Sequence, residues 1–326
     1  MRRVTIYSIA AELGISASTV SRAFSRPDLV KTSVREQVLA KAKELGYAPN
    51  RAARGLATGR TGLFGLLVPD ITNPFFPPLV RAVQHAAAEH DAEVILIDSE
   101  RSATAEEDLV SRIRPQVDGL IVASPRLPTN RLRSMLAGIP SVVVNRLVRG
   151  LPSVVCDNTD ALHEAANHLR DVGHHRFALV LGPVGSWAAD RRAEAVRSWA
   201  HHEDVALVEV GPLEAQFRDG RAAARELIDS GATAIIAFDD LMAAGIIAGL
   251  NDEGERVPHD RSIVGCDDVL LAQTMTPSLT TVAAPMVELG AQAVALLNRV
   301  VAGERARSIT LKGELQRRGT VAAPPG

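Results

Sequence analysis

The apolar positions of the first fifty residues recur every three or four, and from residue 63 onward they gather into short continuous runs. In TIYSIAAELGISASTVSRAF (Thr5 to Phe24), Ile6, Ile9, Ala10 and Leu13 occupy i, i+3, i+4 and i+7, one face of a helix. Thr5 is placed to cap that helix. Gly14 can take the positive φ that lets the chain turn sharply out of it. Ser16 then caps a second helix, in which Val20 and Phe24 (four apart) face inward. Ala17, Ser18, Ser21 and Arg22 are left on the opposite face. This pattern predicts a helix-turn-helix reader, with a plain αα-hairpin as the alternative. Arg26-Pro27-Asp28 reads as a loop. Ser33 and Glu36 predict a capping box for a third helix, with Val34, Val38, Ala42 and Leu45 inward and Gly46 as its C-cap.

In the stretch from Tyr47 to Gly62, YAPNRAARGLATGRTG, Pro49 stops the third helix and Asn50 can cap a short helix through Leu56 and Ala57. A solvated linker has no use for Leu56. An interdomain connector and a DNA-contacting hinge carrying Arg51 and Arg54 both fit.

Strand-like runs then appear at 63–69, 94–98, 118–123, 141–145, 176–181, 205–210, 233–238 and 262–266. Amphipathic segments lie between most of them, at 76–90, 104–114, 159–172, 190–201, 218–230 and 241–253. Continuous apolar strands alternating with helices predict parallel sheets covered on both faces. The run is too long for one core, and a break near 150–160 predicts two lobes.

Charge sharpens this division. The 326 residues carry a net charge of −2, yet residues 1–60 hold eleven Lys/Arg against four Asp/Glu, a net of +7. The remainder is −9. A basic head on an acidic body predicts a polyanion partner for the head alone. The two cysteines, Cys156 and Cys266, make neither a disulfide framework nor a metal site. With no apolar stretch behind the N-terminal charges and no run of about 20 apolar residues, a cytoplasmic protein is expected.

Ligands of open α/β sheets bind beyond the carboxyl ends of the strands. Those ends carry Asp70, Asn73 to Phe76, Ser124, Asn145, Arg146, Trp187, Asp239, Asp240, Asp267 and Asp268. Side chains of this kind suit hydroxyls, and a closing cleft lined by them suits a small polar molecule. Some strand-end acids, such as Asp160 or Asp240, can instead cap the helices that follow. No GxGxxG, GxxxxGK[ST], GxSxG or HExxH occurs, and neither His174-His175 nor His201-His202 has metal-ligand spacing. The reading is therefore a binding protein, not an enzyme, with neither cofactor nor metal. A solute receptor without a DNA role is the alternative, and operator binding separates the two.

The chain resembles the lactose/galactose repressor (LacI/GalR) family over nearly its whole length. The matching pieces are TIYSIAAELGISASTVSRAF, ELGYAPNRAARGL, GLLVPDITNPFF, VDGLIV, GHHRFALVLGP with Arg192 downstream, AFDDLMAAG, and VGCDD followed by PSLTT. The resemblance implies a small all-α helix-turn-helix head plus an α/β body of two doubly wound parallel-sheet lobes of the periplasmic-binding-protein type. The implied divisions are 1–48 for the head, 49–61 for the hinge helix and linker, and 62–326 for the body. Within the body, the N-lobe takes about 62–158 and 285–310, and the C-lobe about 159–284 and 311–326. The resemblance further implies a homodimer on a palindromic operator, hinge helices in the minor groove with Leu56 wedged between base steps, and a sugar-like effector between the lobes. The matching effector positions are Asn73, Phe75, Ser124, Asn145, Arg192, Asp240 and Asp267. Departures from the family pattern include Ser8 for Asp, Ala195 for Gly, Asp239 for Asn and Asn145 for Asp; a tryptophan seen in some members is absent, with Ala215 near its place.

Within this frame the head's contacts divide into positioning and reading. Thr5, Ser16, Thr19 and Ser21 suit phosphate oxygens. Ala17, Ser18 and Arg22 project towards base edges, with Arg22 suited to guanine O6 and N7. In the cleft, Arg192 and Asp267 are the pair for vicinal hydroxyls or an anionic group. Phe75 and Trp187 could stack on a sugar face, whereas Trp199 sits at core spacing.

Overall fold

The computed structural model describes residues 4–25, 27–47 and 60–325, which fall into two compact units, Met1–Gly62 and Leu63–Gly326. Asn50, Arg51, Arg54 and Leu56 lie outside the described residues.

In the first unit, α1 (Ile6–Leu13) ends at Gly14, whose φ of 64° is left-handed. Helix α2 spans Ala17–Ser25, and a short 3-10 turn at Pro27–Leu29 stands where a loop is expected. Helix α3 spans Thr32–Glu44. Ile9, Val20 and Val38, one from each helix, are fully buried at the centre. The expected capping box at Ser33 does not form. The Lys31 carbonyl already accepts the Val34 and Arg35 amides, so the first turn closes upstream of Ser33. Gly46 (φ 65°) stands just past the helix end, where the Tyr47 amide returns to the Ala42 carbonyl at 2.8 Å.

The second unit alternates β1 (Leu63–Val68), α4 (Phe76–Ala88), β2 (Glu93–Asp98), α5 (Ala103–Ile113), β3 (Gly119–Ala123), α6 (Thr129–Leu136), β4 (Ser141–Val144) and β5 (Ser153–Asp157). It continues with α7 (Thr159–Asp171), β6 (Arg176–Val180), α8 (Trp187–His202), β7 (Ala206–Val210), α9 (Phe217–Ala222), α10 (Ala224–Asp229), β8 (Ala234–Ala237), α11 (Asp240–Asp252), β9 (Ser262–Asp267) and α12 (Leu270–Thr274). The last elements are β10 (Thr280–Ala283), α13 (Met286–Val301), β11 (Ile309–Lys312) and β12 (Glu314–Gln316).

Two six-stranded sheets result, ordered β11-β5-β4-β3-β1-β2 and β12-β10-β9-β8-β6-β7. The first is parallel throughout. The second carries β12 antiparallel on β10, a departure from the purely parallel expectation. Central strands are buried and almost wholly apolar, as strands covered on both faces must be: β3 and β4 are buried at every position.

The chain passes between the sheets three times, after β5, after β10 and between β11 and β12. The third passage is at Gly313, not at residue 311, because β11 extends through Lys312 in the first sheet. A Cβ at Gly313 would lie 2.3 Å from Asn158 Oδ1 and 3.1 Å from Val282, one residue from each of the other two crossings. Only glycine lets the three segments pack this closely.

Candidate functional site

The head offers a polar rim built on α2. Ser16 Oγ accepts the Thr19 amide at 3.0 Å and lies 2.8 Å from both Ser18 Oγ and Thr19 Oγ1. This knot of hydroxyls fixes the start of the helix. Ser8 Oγ accepts the Thr5 amide at 3.3 Å and fixes the start of α1 in the same way. Thr5, Ser16, Ser18 and Arg22 are exposed, while Thr19 and Ser21 are half-buried. Ala17 departs from the expected outward face. It is half-buried against the head core, since Ala17, Val20 and Phe24 stand at i, i+3 and i+7 on one stripe. Phe24 closes that stripe against Tyr47, ring centroids 5.8 Å apart. The outward face is therefore narrower than the sequence implies, and Ser18 and Arg22, at i and i+4, form it. Tyr7, 72% exposed on α1, escapes the sequence reading. Its signal is an aromatic residue set off the Ile6/Ile9/Leu13 stripe.

In the body, a solvent-open cleft lies between the carboxyl ends of the two sheets. Asn73, Phe75, Ser124, Asn145, Arg192 and Asp267 all line it. Arg101, Arg126 and Phe238 line it as well, though the sequence did not single them out. Trp187 does not. As the first residue of α8 it lines a neighbouring hollow with Asn158 and Arg191, which meets the main cavity at Asn145, Ala188 and Arg192.

The strand ends turn into the cavity through strained backbone. Ser124 (φ 47°), Asn145 (φ 61°) and Asp267 (φ 117°) all adopt positive φ. Such residues cost on the order of 1–3 kcal/mol each and cluster at ligand sites. The strain is held by ladder bonds: the Ser124 amide donates to the Val144 carbonyl and the Asn145 amide to the Val154 carbonyl, each at 2.8 Å. Asn145 Nδ2 in turn donates to Ser124 Oγ at 3.0 Å.

At the cavity floor Arg192 Nη2 donates to Asp267 Oδ1 at 2.5 Å and Nη1 to the Phe238 carbonyl at 2.7 Å. Its guanidinium lies 4.9 Å from the Phe238 ring centroid. Arg192 Nε is buried without a hydrogen-bond partner among the described residues. Burial opposes the charge on Arg192, but Asp267 beside it holds the proton firmly in place. Burial drives the Asp267 carboxyl upward, against the pull of Arg192 and with the help of Asp239 and Asp240.

Asp240 needs correction as a cleft residue. It is 1% exposed and does not line the cavity. Its Oδ2 accepts the Val269 amide at 2.9 Å and its Oδ1 the Thr281 hydroxyl at 2.5 Å, so it ties α11 to β10. Asp239 takes the cleft position instead. It caps α11 by accepting the Met242 amide at 2.8 Å, and across the cleft it accepts Asn73 Nδ2 at 3.1 Å. Burial pushes Asp239 above the usual carboxylate range and Asp240 up to about 6. Among the described residues, no cluster of three or more His, Cys, Asp or Glu is placed to hold a metal, and no helix is long and apolar enough to cross a membrane.

Residues 5–50 match the bacterial regulatory proteins of the lacI family, and residues 166–321 match the periplasmic binding protein-like domain. The Ribose operon repressor of Halalkalibacterium halodurans is 33% identical over 297 residues, spanning 90% of this chain and 89% of that protein. The chain belongs to the LacI family. The HTH-type transcriptional repressor CytR of Escherichia coli is 30% identical over 333 residues, spanning 98% and 97% of the two chains. The Lac repressor dimer bound to operator and the anti-inducer ONPF shares the fold with a TM-score of 0.86 at 27% identity, covering 99% of this chain and 100% of that one. A LacI-family regulator from Enterococcus faecium with bound ribose gives 0.73 at 30% identity, over 81% and 100%. As a LacI-family protein, this chain is a ligand-responsive DNA-binding regulator.

Proposed function

We propose that the protein is a cytoplasmic repressor that binds a palindromic operator as a homodimer and responds to a sugar held between its lobes, with no catalytic step of its own. The proposed division is a DNA-binding head at 1–48, a hinge at 49–61 and an effector-binding body from residue 62. Arg22 and Ser18 read base edges, and Thr5, Ser16, Thr19 and Ser21 meet phosphates. Ala17 offers its remaining exposed edge and Tyr7 adds an aromatic contact. Asn50, Arg51 and Arg54 contact the DNA backbone from the hinge, and Leu56 is the wedge in the minor groove.

The observation that carries this reading is the Asn73–Asp239 bond across a cleft that also holds Arg192, Asp267, Ser124 and Asn145. A ligand seated there contacts both lobes at once, so its binding sets their relative position. Two of the proteins named above support a sugar: one is by name a ribose operon repressor, and the other is a family member with ribose in its structure. Trp187, in the adjoining hollow, packs beside the ligand site and not on the sugar face.

The test is operator binding by the intact protein, titrated with ribose and other sugars. A sugar that changes operator affinity in the wild type and fails to do so in Arg192→Ala supports the proposal. Operator binding that no sugar alters contradicts it.

A further inference from the structure

Resting on the sugar-responsive reading above, we infer that the cleft takes an uncharged polyhydroxy ligand and rejects its phosphate ester. Three arginines line the cavity, a number that invites an anionic ligand. Each is already matched by a carboxylate. Arg101 Nη1 meets Asp70 Oδ2 at 3.0 Å, Arg126 Nη1 meets Glu214 Oε2 at 3.0 Å, and Arg192 Nη2 meets Asp267 Oδ1 at 2.5 Å. Asp239 remains as a fourth carboxylate, 2% exposed, whose side chain meets an amide from Met242 and one from Asn73 but, among the described residues, no cation at ion-pair distance. Every arginine of the lining already has a carboxylate at ion-pair distance, so among the described residues no free cation awaits an anionic ligand there.

Hydrogen-bonding capacity points the same way. The carboxyl oxygens of Asp239 and Asp267 offer acceptor sites, whereas the buried Arg192 Nε can only donate and has no hydrogen-bond partner among the described residues. A hydroxyl donates and accepts at once, and vicinal hydroxyls can serve both demands from adjacent carbons. A phosphate dianion only accepts. It would satisfy Arg192 Nε but set a dianion beside the carboxyl groups of Asp239 and Asp267 in a low-dielectric site, an unfavourable juxtaposition. Phe75, Phe76 and Phe238 complete the lining with ring surface that suits the CH face of a sugar and offers nothing to a phosphate.

The experiment compares matched pairs on the full-length protein by calorimetry and thermal shift: ribose and ribose 5-phosphate, glucose and glucose 6-phosphate, fructose and fructose 6-phosphate. Binding of a parent sugar at least about 100-fold tighter than its ester is the expected result. An ester that binds as tightly as its parent overturns the inference while leaving a ligand-responsive regulator in place. If no sugar and no ester binds or alters operator affinity, the sugar-responsive reading itself falls, and the inference with it.

Two variants probe the charge argument. Glu214→Gln lies at the surface, so the fold is safe, and it frees Arg126; the preference for the parent sugar should narrow about tenfold. Asp239→Asn removes the one carboxyl group of the four that has no arginine partner and should narrow it by a similar factor. A preference unmoved by both variants overturns the charge argument.

Discussion

Asn73 Nδ2 donates to Asp239 Oδ2 at 3.1 Å, joining side chains 166 residues apart that lie beyond the strand ends of different sheets. The other end of the Asn73 amide accepts the Phe75 backbone amide at 2.9 Å, so its orientation is fixed from the N-lobe side. This bond fixes the buried Asp239 carboxyl within the cleft and ties the two lobes together at the ligand site.

Asn73→Ala removes the donor and leaves a buried carboxylate short of a partner. A hydrogen bond to a charged group is worth about 1.5–3 kcal/mol, so ligand affinity should fall by roughly tenfold or more. Calorimetric titration reads this directly. An unchanged Kd would show that the bond is incidental to binding.

Asp240 makes stability depend on pH with a sign opposite to that of a salt-bridged carboxylate. Burial raises it from 3.8 to about 6 in the folded chain, so between those values the folded state binds more protons than the unfolded state. Its contribution is greatest near pH 4 and is lost as pH rises to about 6, a change on the order of 3 kcal/mol at most. Asp240→Asn keeps an oxygen for the Val269 amide and an NH₂ for Thr281 Oγ1, and should flatten this segment of the curve. The check is the urea midpoint of wild type and variant from pH 4 to 7. His174 works in the other direction: burial lowers its pKa, and its ring is bonded to Thr233, Ser262 and the Ala322 carbonyl, so protonation costs stability on the acid side. Because both proteins carry His174, the difference between them isolates Asp240. A difference of the opposite sign would contradict the assignment.

Arg22 is exposed on the narrow face it shares with Ser18. Arg22→Ala should cost about 1–3 kcal/mol on the specific operator and relax discrimination at one symmetric base pair. Binding measured across a set of operator variants decides the matter. Equal weakening on every sequence would make Arg22 a phosphate contact.

Local order made much of the architecture legible. Apolar stripes and caps lie within a few residues of each other, so α1, α2 and most of the parallel strands follow from spacing alone. The strands β5, β10, β11 and β12 did not. They are three to five residues long, and β12 pairs antiparallel with a strand some thirty positions upstream, which no local pattern records. The same limit governs the cleft. Asn73, Ser124, Asn145 and Asp267, named from strand ends, lie along the cavity, but Asp239 and Asp240 are neighbours whose fates depend on where α11 begins. Asp239 keeps an extended backbone (φ −143°) as the cap and meets Asn73, while Asp240 enters the helix and turns to Thr281 and Val269. Arg101 and Arg126 reach the cavity from loops, where sequence gives no direction to a side chain.

Linkage between cleft and operator is the claim on which the rest depends, and the direct measurement is a pair of titrations with Asp267→Asn as the control. Operator affinity is measured with and without a sugar that raises the protein's Tm, and sugar affinity with and without operator. Binding linkage is reciprocal, so the two ratios should be equal in the wild type. Asp267→Asn loses a charged hydrogen bond worth about 1.5–3 kcal/mol while leaving the head intact. It should bind operator as the wild type does and need roughly tenfold or more sugar for the same response. A variant that responds at the wild-type midpoint, or a wild type whose operator affinity is indifferent to bound sugar, would contradict control through this cleft.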